Sequence, residues 1–181
     1  MTAAHGLILL ALLGLLACAV VEDVRRWRLP NRLTAGVALL YPLHVLLSPT
    51  AVAWLPALAL AAALFAAGTA LFAWRVLGGG DVKLIAALGL WAGLEHFAAF
   101  AVATTLSGGV LALFYLWYRR SGWYVLGPLR TVLLPKRSAE TAPPTPAAVA
   151  DESASEAPSG VPYGVAITVG GLVVIYRILG L

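Results

Sequence analysis

Between Arg32 and Arg75 the sequence carries no Asp, Glu, Lys or Arg, and residues 5–21 (HGLILLALLGLLACAVV) form another uncharged apolar run. A surface helix of a soluble protein needs a polar face toward water, which these stretches cannot supply. Hydrocarbon makes no such demand, and roughly 17–25 apolar residues let an α-helix cross it. Composition agrees: 61% of residues are hydrophobic, only 11% are charged, and the mean hydropathy is +0.92. Values this apolar exclude an ordinary soluble domain. The chain is expected to be an all-α, polytopic integral membrane protein, organised as a single membrane domain over residues 1–181.

The spans follow in order. The first is 5–21. Within it Leu15-Leu16-Ala17-Cys18 resembles a lipobox, but no Lys or Arg precedes the run, and Arg25, Arg26, Arg28 and Arg32 follow it. A retained first helix entering from outside is the better reading. Leu29-Pro30-Asn31 restarts the chain, since Pro suits a helix start and Asn or Thr can cap the helix that follows. Span two is expected at 33–48, kinked at Pro42, and span three at 51–74 after the uncharged turn Ser48-Pro49-Thr50. The apolar run 82–94 is short for a crossing, Glu95-His96 interrupts it, and a further span covers 97–118. The loop 119–160 begins with a weakly amphipathic element near 122–134. It continues as a Pro/Ala/Ser/Glu tether at 138–160, which has too little apolar surface to fold and is expected to be a disordered cytoplasmic linker. The last span is 161–179, giving about six in all.

Charge decides whether 82–94 crosses or re-enters. If it crosses, eleven of the twelve Lys and Arg fall on one side and only Arg177 on the other. The positive-inside rule then puts both termini outside, and Asp23 and Asp81 at the cytoplasmic face. Trp27, Trp74 and Trp117 would mark the cytoplasmic interface, with Trp54 and Trp91 at the outer one. The net charge of +4 is thereby explained by orientation in a bilayer, without a nucleic-acid partner.

The chemistry concentrates in Gly78-Gly79-Gly80-Asp81-Val82-Lys83, a polar break between apolar segments. An ionisable residue at the edge of a span points to function, and glycines let backbone approach closely. Asp23, at the end of the first span, lies at similar depth on the same face. Two carboxylates brought together share one proton, so one can act as base on a water and the other as acid toward a carbonyl oxygen. Plainer readings stand beside this one. Asp81 could cap a helix beginning at Val82, and Asp23 could pair with Arg25 or Arg26. Lys83 is either a cytoplasmic anchor or a cation tuning the Asp81 pKa, and Glu22 reads as interfacial. Cys18 reads as a small apolar helix residue, and His5, His44 and His96 lack metal-ligand spacing, so no metal or other cofactor is expected. A different class of function, a small transporter or binding scaffold using Asp23 and Asp81 for a cation or proton, would place its acids nearer the midplane.

Gly78-Gly79-Gly80-Asp81 fits the GxGD signature of intramembrane aspartic proteases, and GGGDVKLIAALGLWAG resembles the second catalytic block of type IV prepilin peptidases. Asp23 with Arg25, Arg28 and Leu29-Pro30-Asn31 is similar to that family's first block, and Val161-Pro162-Tyr163-Gly164-Val165-Ala166-Ile167 to the opening of its last helix. The three blocks come in order across residues 18–170 and are closest to the short branch serving tight-adherence (Flp-type) pili. The resemblance implies an aspartic endopeptidase, in the bacterial inner membrane, that cuts the leader from prepilins or pseudopilins at the cytoplasmic face. Asp23 and Asp81 would be its catalytic pair, with Gly78 and Gly80 shaping the substrate loop. Longer members carry an N-terminal region with paired Cys-x-x-Cys motifs and also N-methylate their product. This chain opens on a span and has one cysteine, so neither zinc nor S-adenosylmethionine chemistry is carried over to it. The oligomeric state, a homo-oligomer included, is left open.

Overall fold

The computed structural model describes residues 3–26, 29–133 and 163–180. Trp27, Arg28, the tether 138–160 and the first two residues of the expected last span lie outside them. All the regular structure described is helical: α1 (Ala3–Arg26), α2 (Asn31–Leu47), α3 (Trp54–Ala73), α4 (Gly79–Leu133) and α5 (Tyr163–Ile178). Two compact units divide the chain, Met1–Val110 with Pro162–Leu181, and Leu111–Val161. The first contains both acids.

Local chemistry explains the boundaries. α1 outlasts its apolar run by more than a turn, closing on Arg25 and Arg26, whose charges suit a helix C-terminus. α2 starts after Pro30, held extended at φ −67, ψ 138. No side chain caps it, contrary to the expectation for Asn or Thr; Thr34 Oγ instead donates to Asn31 O at 3.1 Å. Pro42 lies within α2 as expected. α4 is interrupted where Gly93 takes φ 55, ψ −172. The runs expected as the fourth and fifth spans, 82–94 and 97–118, both lie on α4. Their break falls at the glycine, slightly before Glu95-His96, because only glycine adopts that backbone freely. Residues 122–133 continue the α4 helix.

Three of these helices, Ala3–Arg26, Trp54–Ala73 and the Gly79–Trp117 part of α4, are long and apolar enough to cross a membrane, and Tyr163–Ile178 is apolar but shorter. Their outward faces carry large apolar side chains such as Leu55, Leu58, Phe65 and Phe72 of α3, a surface suited to lipid. Between helices the packing relies on small residues, as expected where lipid supplies no hydrophobic drive for association. α1 packs against α2 and α5. On α5, Gly171 faces Leu16 and Leu88, and Gly170 faces Phe100 and Thr104. Ser107 Oγ donates to Ala166 O at 3.1 Å.

The core joins Leu12 and Leu16 of α1, Val37 and Tyr41 of α2, Leu84, Leu88 and Trp91 of α4, and Ile167 and Val174 of α5. Trp91 is 3% exposed and its Nε1 donates to Val37 O at 2.9 Å. It is a core residue, and the outer-interface role expected for it is corrected. An indole with a hydrogen-bond partner can be buried whole. Two of the three dispersed histidines also meet: His5 Nε2 and His44 Nδ1 are 3.0 Å apart, and the His44 ring stacks near Trp91 at 4.9 Å.

Candidate active site

The loop presenting Asp81 is shaped by the end of α3. Arg75 N–H donates to Phe72 O at 2.9 Å and Val76 N–H to Leu71 O at 3.0 Å, the paired bonds of a Schellman turn. That turn needs a left-handed residue after the C-cap, and Arg75 occupies it at φ 59. The chain then reverses into Gly78, whose carbonyl accepts Val82 N–H at 3.1 Å. Gly79 and Gly80 are the first turn of α4, so the helix begins three residues earlier than the expected Val82. Asp81 stands in that first turn and folds back to accept the Gly78 N–H, as an acid at the third helical position commonly does. Its Oδ2 lies 2.8 Å from where a Cβ on Gly78 would be. Asp81 is therefore not the cap of a helix starting at Val82; it lies inside the first turn of a helix starting at Gly79 and bonds back to Gly78, which leaves the carboxylate at the positive end of that helix.

Asp23 sits in the last turn of α1, 5% exposed. Its Oδ2 accepts Val165 N–H at 3.2 Å, and its carboxylate also accepts Gly164 N–H. One acid of α1 therefore caps the first turn of α5. The pairing of Asp23 with Arg25 or Arg26 is not what forms. Arg26 Nε instead meets Glu22 Oε2 at 3.2 Å, one turn away on the solvent side, consistent with an interfacial Glu22.

A short segment joins the two acid-bearing regions. Leu29 lies against both: a Cβ on Gly80 would stand 2.8 Å from Leu29 Cβ and 3.2 Å from its carbonyl oxygen, and a Cβ on Gly164 would stand 3.1 Å from Leu29 Cδ1. Two residues on, Asn31 Oδ1 accepts Lys83 Nζ at 2.7 Å. Gly80 and Gly164 are glycines because Leu29 and Asp23 occupy the space of their side chains. Asp81 lies within electrostatic reach of Asp23. Two carboxyl groups brought close in this way are able to share one proton.

Beside this junction a cavity of about 410 Å³ opens between α2, α3 and α4, lined among others by Ala35, Ala38, Ala61 and Phe65, with Asn31 and Lys83 at its polar end. Among the described residues no group of three or more His, Cys, Asp or Glu could hold a metal ion. The sequence reading selected Asp23, Gly78, Gly80, Asp81 and Lys83, and the structure gathers all five around one junction. It did not single out Leu29 or Asn31 as parts of the site, nor the α5 backbone as Asp23's partner. In the sequence Leu29-Pro30-Asn31 reads as a helix start and as part of the block that resembles the prepilin peptidase family's first, with no contact to the glycine run implied. Its proximity to the glycine run depends on packing that no local pattern encodes.

A sequence model of the type IV leader peptidase family matches residues 10–113, more than half of the chain, and takes in Asp23, Asn31 and Gly78 to Lys83. No curated protein matches, and no solved structure matches.

Proposed function

The chain belongs to the type IV leader peptidase family, and on that premise we propose that it is a membrane-embedded aspartic endopeptidase using Asp23 and Asp81. Its substrates are prepilins or pseudopilins, of the tight-adherence (Flp-type) class in this reading. Cleavage takes place at the cytoplasmic face of the inner membrane, where the excess of basic residues puts both acids. The observation that carries the proposal is that Leu29 packs both against Gly80, in the turn that bears Asp81, and against Gly164, in the turn whose backbone holds Asp23.

Environment separates the roles. Asp23 accepts two backbone N–H groups, from Gly164 and Val165, against one, from Gly78, for Asp81, and such bonds offset part of the cost of burying a carboxylate. Asp23 is the base. Asp81 carries the shared proton and is the acid. A water held between them loses a proton to Asp23 as its oxygen attacks the scissile carbonyl carbon, while Asp81 protonates the carbonyl oxygen. Collapse of the tetrahedral diol breaks the C–N bond: the proton on Asp23 passes to the leaving amine, and one diol hydroxyl returns its proton to Asp81 as the new carboxyl group forms, which restores the starting pair. The apolar helix of the substrate docks along the alanine-lined cavity, since small residues let helices approach closely. Its leader stays in the cytoplasm and its scissile bond lies at the membrane edge. Gly78 and Gly80 keep the loop thin beside it, and tuning of Asp81 by Lys83 belongs to the same proposal.

The test is cleavage of a co-expressed prepilin-like substrate in membranes by the wild type, Asp23→Asn and Asp81→Asn. Each single amide is expected to abolish cleavage while the protein still inserts. Normal cleavage by either variant would return that aspartate to a capping role and end the dyad assignment.

A further inference from the structure

Outside the acid pair, one polar contact in the site ties distant parts of the chain without contributing a reacting group. Lys83 Nζ donates to Asn31 Oδ1 at 2.7 Å across 52 positions of sequence. Lys83 is two residues past Asp81 on the same helix, and Asn31 opens α2, two residues past Leu29. Leu29 backbone lies against Gly80 in the first turn of α4, and its side chain lies against Gly164 in the first turn of α5. Pro30 stiffens the segment between Leu29 and Asn31, because its ring fixes φ.

Residues 29–31 therefore touch both helix starts that hold the acids. The α5 start fixes Asp23 through Val165 N–H, and the α4 start bears Asp81. We propose that Leu29, Asn31 and Lys83 form a clasp that sets the separation of Asp23 and Asp81, with the Asn31–Lys83 bond as its latch. They are positioning residues, acting on the reaction through the two acids. This inference rests on the aspartic dyad reading. In it the Lys83 ammonium matters as a hydrogen-bond donor to Asn31, and its charge on Asp81 is secondary.

A clasp makes the two latch residues act as one. Carboxyl groups moved apart interact more weakly, so the two limbs of the pH–rate profile draw together when the latch is opened. A residue that only binds substrate or only stabilises the fold does not change that spacing.

The experiment is a double-mutant cycle in proteoliposomes with a purified prepilin-like substrate. It compares wild type, Asn31→Ala, Lys83→Met, the double variant and Lys83→Arg, with membrane insertion and thermal stability measured for each. The clasp predicts that each single change lowers kcat by about tenfold or more with little change in KM, and that the double variant is no worse than the poorer single. Both singles narrow the pH profile alike, and Lys83→Arg recovers most of the kcat lost in Lys83→Met. The clasp is overturned if the single losses multiply in the double variant, if only Lys83→Met alters the profile, or if neither does. Asp23→Asn and Asp81→Asn run alongside separate the two claims: cleavage surviving in either removes the dyad itself, whereas their inactivity with additive Asn31 and Lys83 effects removes only the clasp.

Discussion

Asp23 Oδ2 accepts the backbone N–H of Val165 at 3.2 Å, across 142 positions of sequence. The first helix thus caps the fifth, and the carboxylate proposed as base is held by the backbone of another helix. Gly164 makes the approach possible. A Cβ there would stand 2.6 Å from Asp23 Oδ2 and 2.8 Å from its Cγ.

Gly164→Ala is therefore expected to displace the Asp23 carboxylate and to lower cleavage at least ~10-fold, the loss equivalent to about 1.4 kcal/mol of barrier. Gly14→Ala in α1 is the control. Nothing lies within 4 Å of its Cβ, and replacing a helical glycine gains roughly 0.5–1 kcal/mol. Cleavage and thermal unfolding of both variants in the same detergent check the contrast.

The pH dependence follows from a pair that works with one proton between its members. As pH falls, the second carboxyl is protonated and no base remains, so the rate drops. As pH rises, the shared proton is lost and no acid remains, so the rate drops again. kcat/KM measured from about pH 4 to 9 is expected to be bell-shaped. A flat or single-sided profile would count against two coupled acids.

Gly93→Ala isolates the cost of the break in α4. A Cβ there would meet nothing closer than Ala57 Cβ at 3.9 Å, so space is available, but φ 55, ψ −172 is a conformation nearly restricted to glycine. The expected loss is about 1–3 kcal/mol, entirely conformational. A lowered unfolding midpoint with unchanged secondary structure by circular dichroism is the measurement.

Arg75→Gly should act in the opposite direction. Arg75 holds the left-handed position of the Schellman turn at φ 59, where glycine avoids a steric cost of roughly 1–2 kcal/mol. A raised unfolding midpoint is expected, with cleavage retained because the turn bonds of Arg75 and Val76 use backbone alone.

What could be read in advance was local. Uncharged runs identified helices suited to a bilayer, and a carboxylate after three glycines marked the chemistry. The histidines show the limit of that reading. His5 and His44 stand far apart in sequence, yet share a hydrogen bond at 3.0 Å beside Trp91. Trp91 itself carries the composition of an interface residue and is buried at 3% exposure, because Val37 O satisfies its N–H.

By itself the sequence determined the helical, membrane-suited character of the chain, the approximate helix ends and the residues able to do acid–base work. Each depends on hydropathy or capping within a few positions. Tertiary structure alone decided which backbone holds Asp23, why Gly80 and Gly164 must lack side chains, and that Asn31 receives Lys83. Apolar helices carry little pattern to specify their partners. Their contacts are set by shape, by where a small residue lets another helix come close, and shape appears only once the helices are packed.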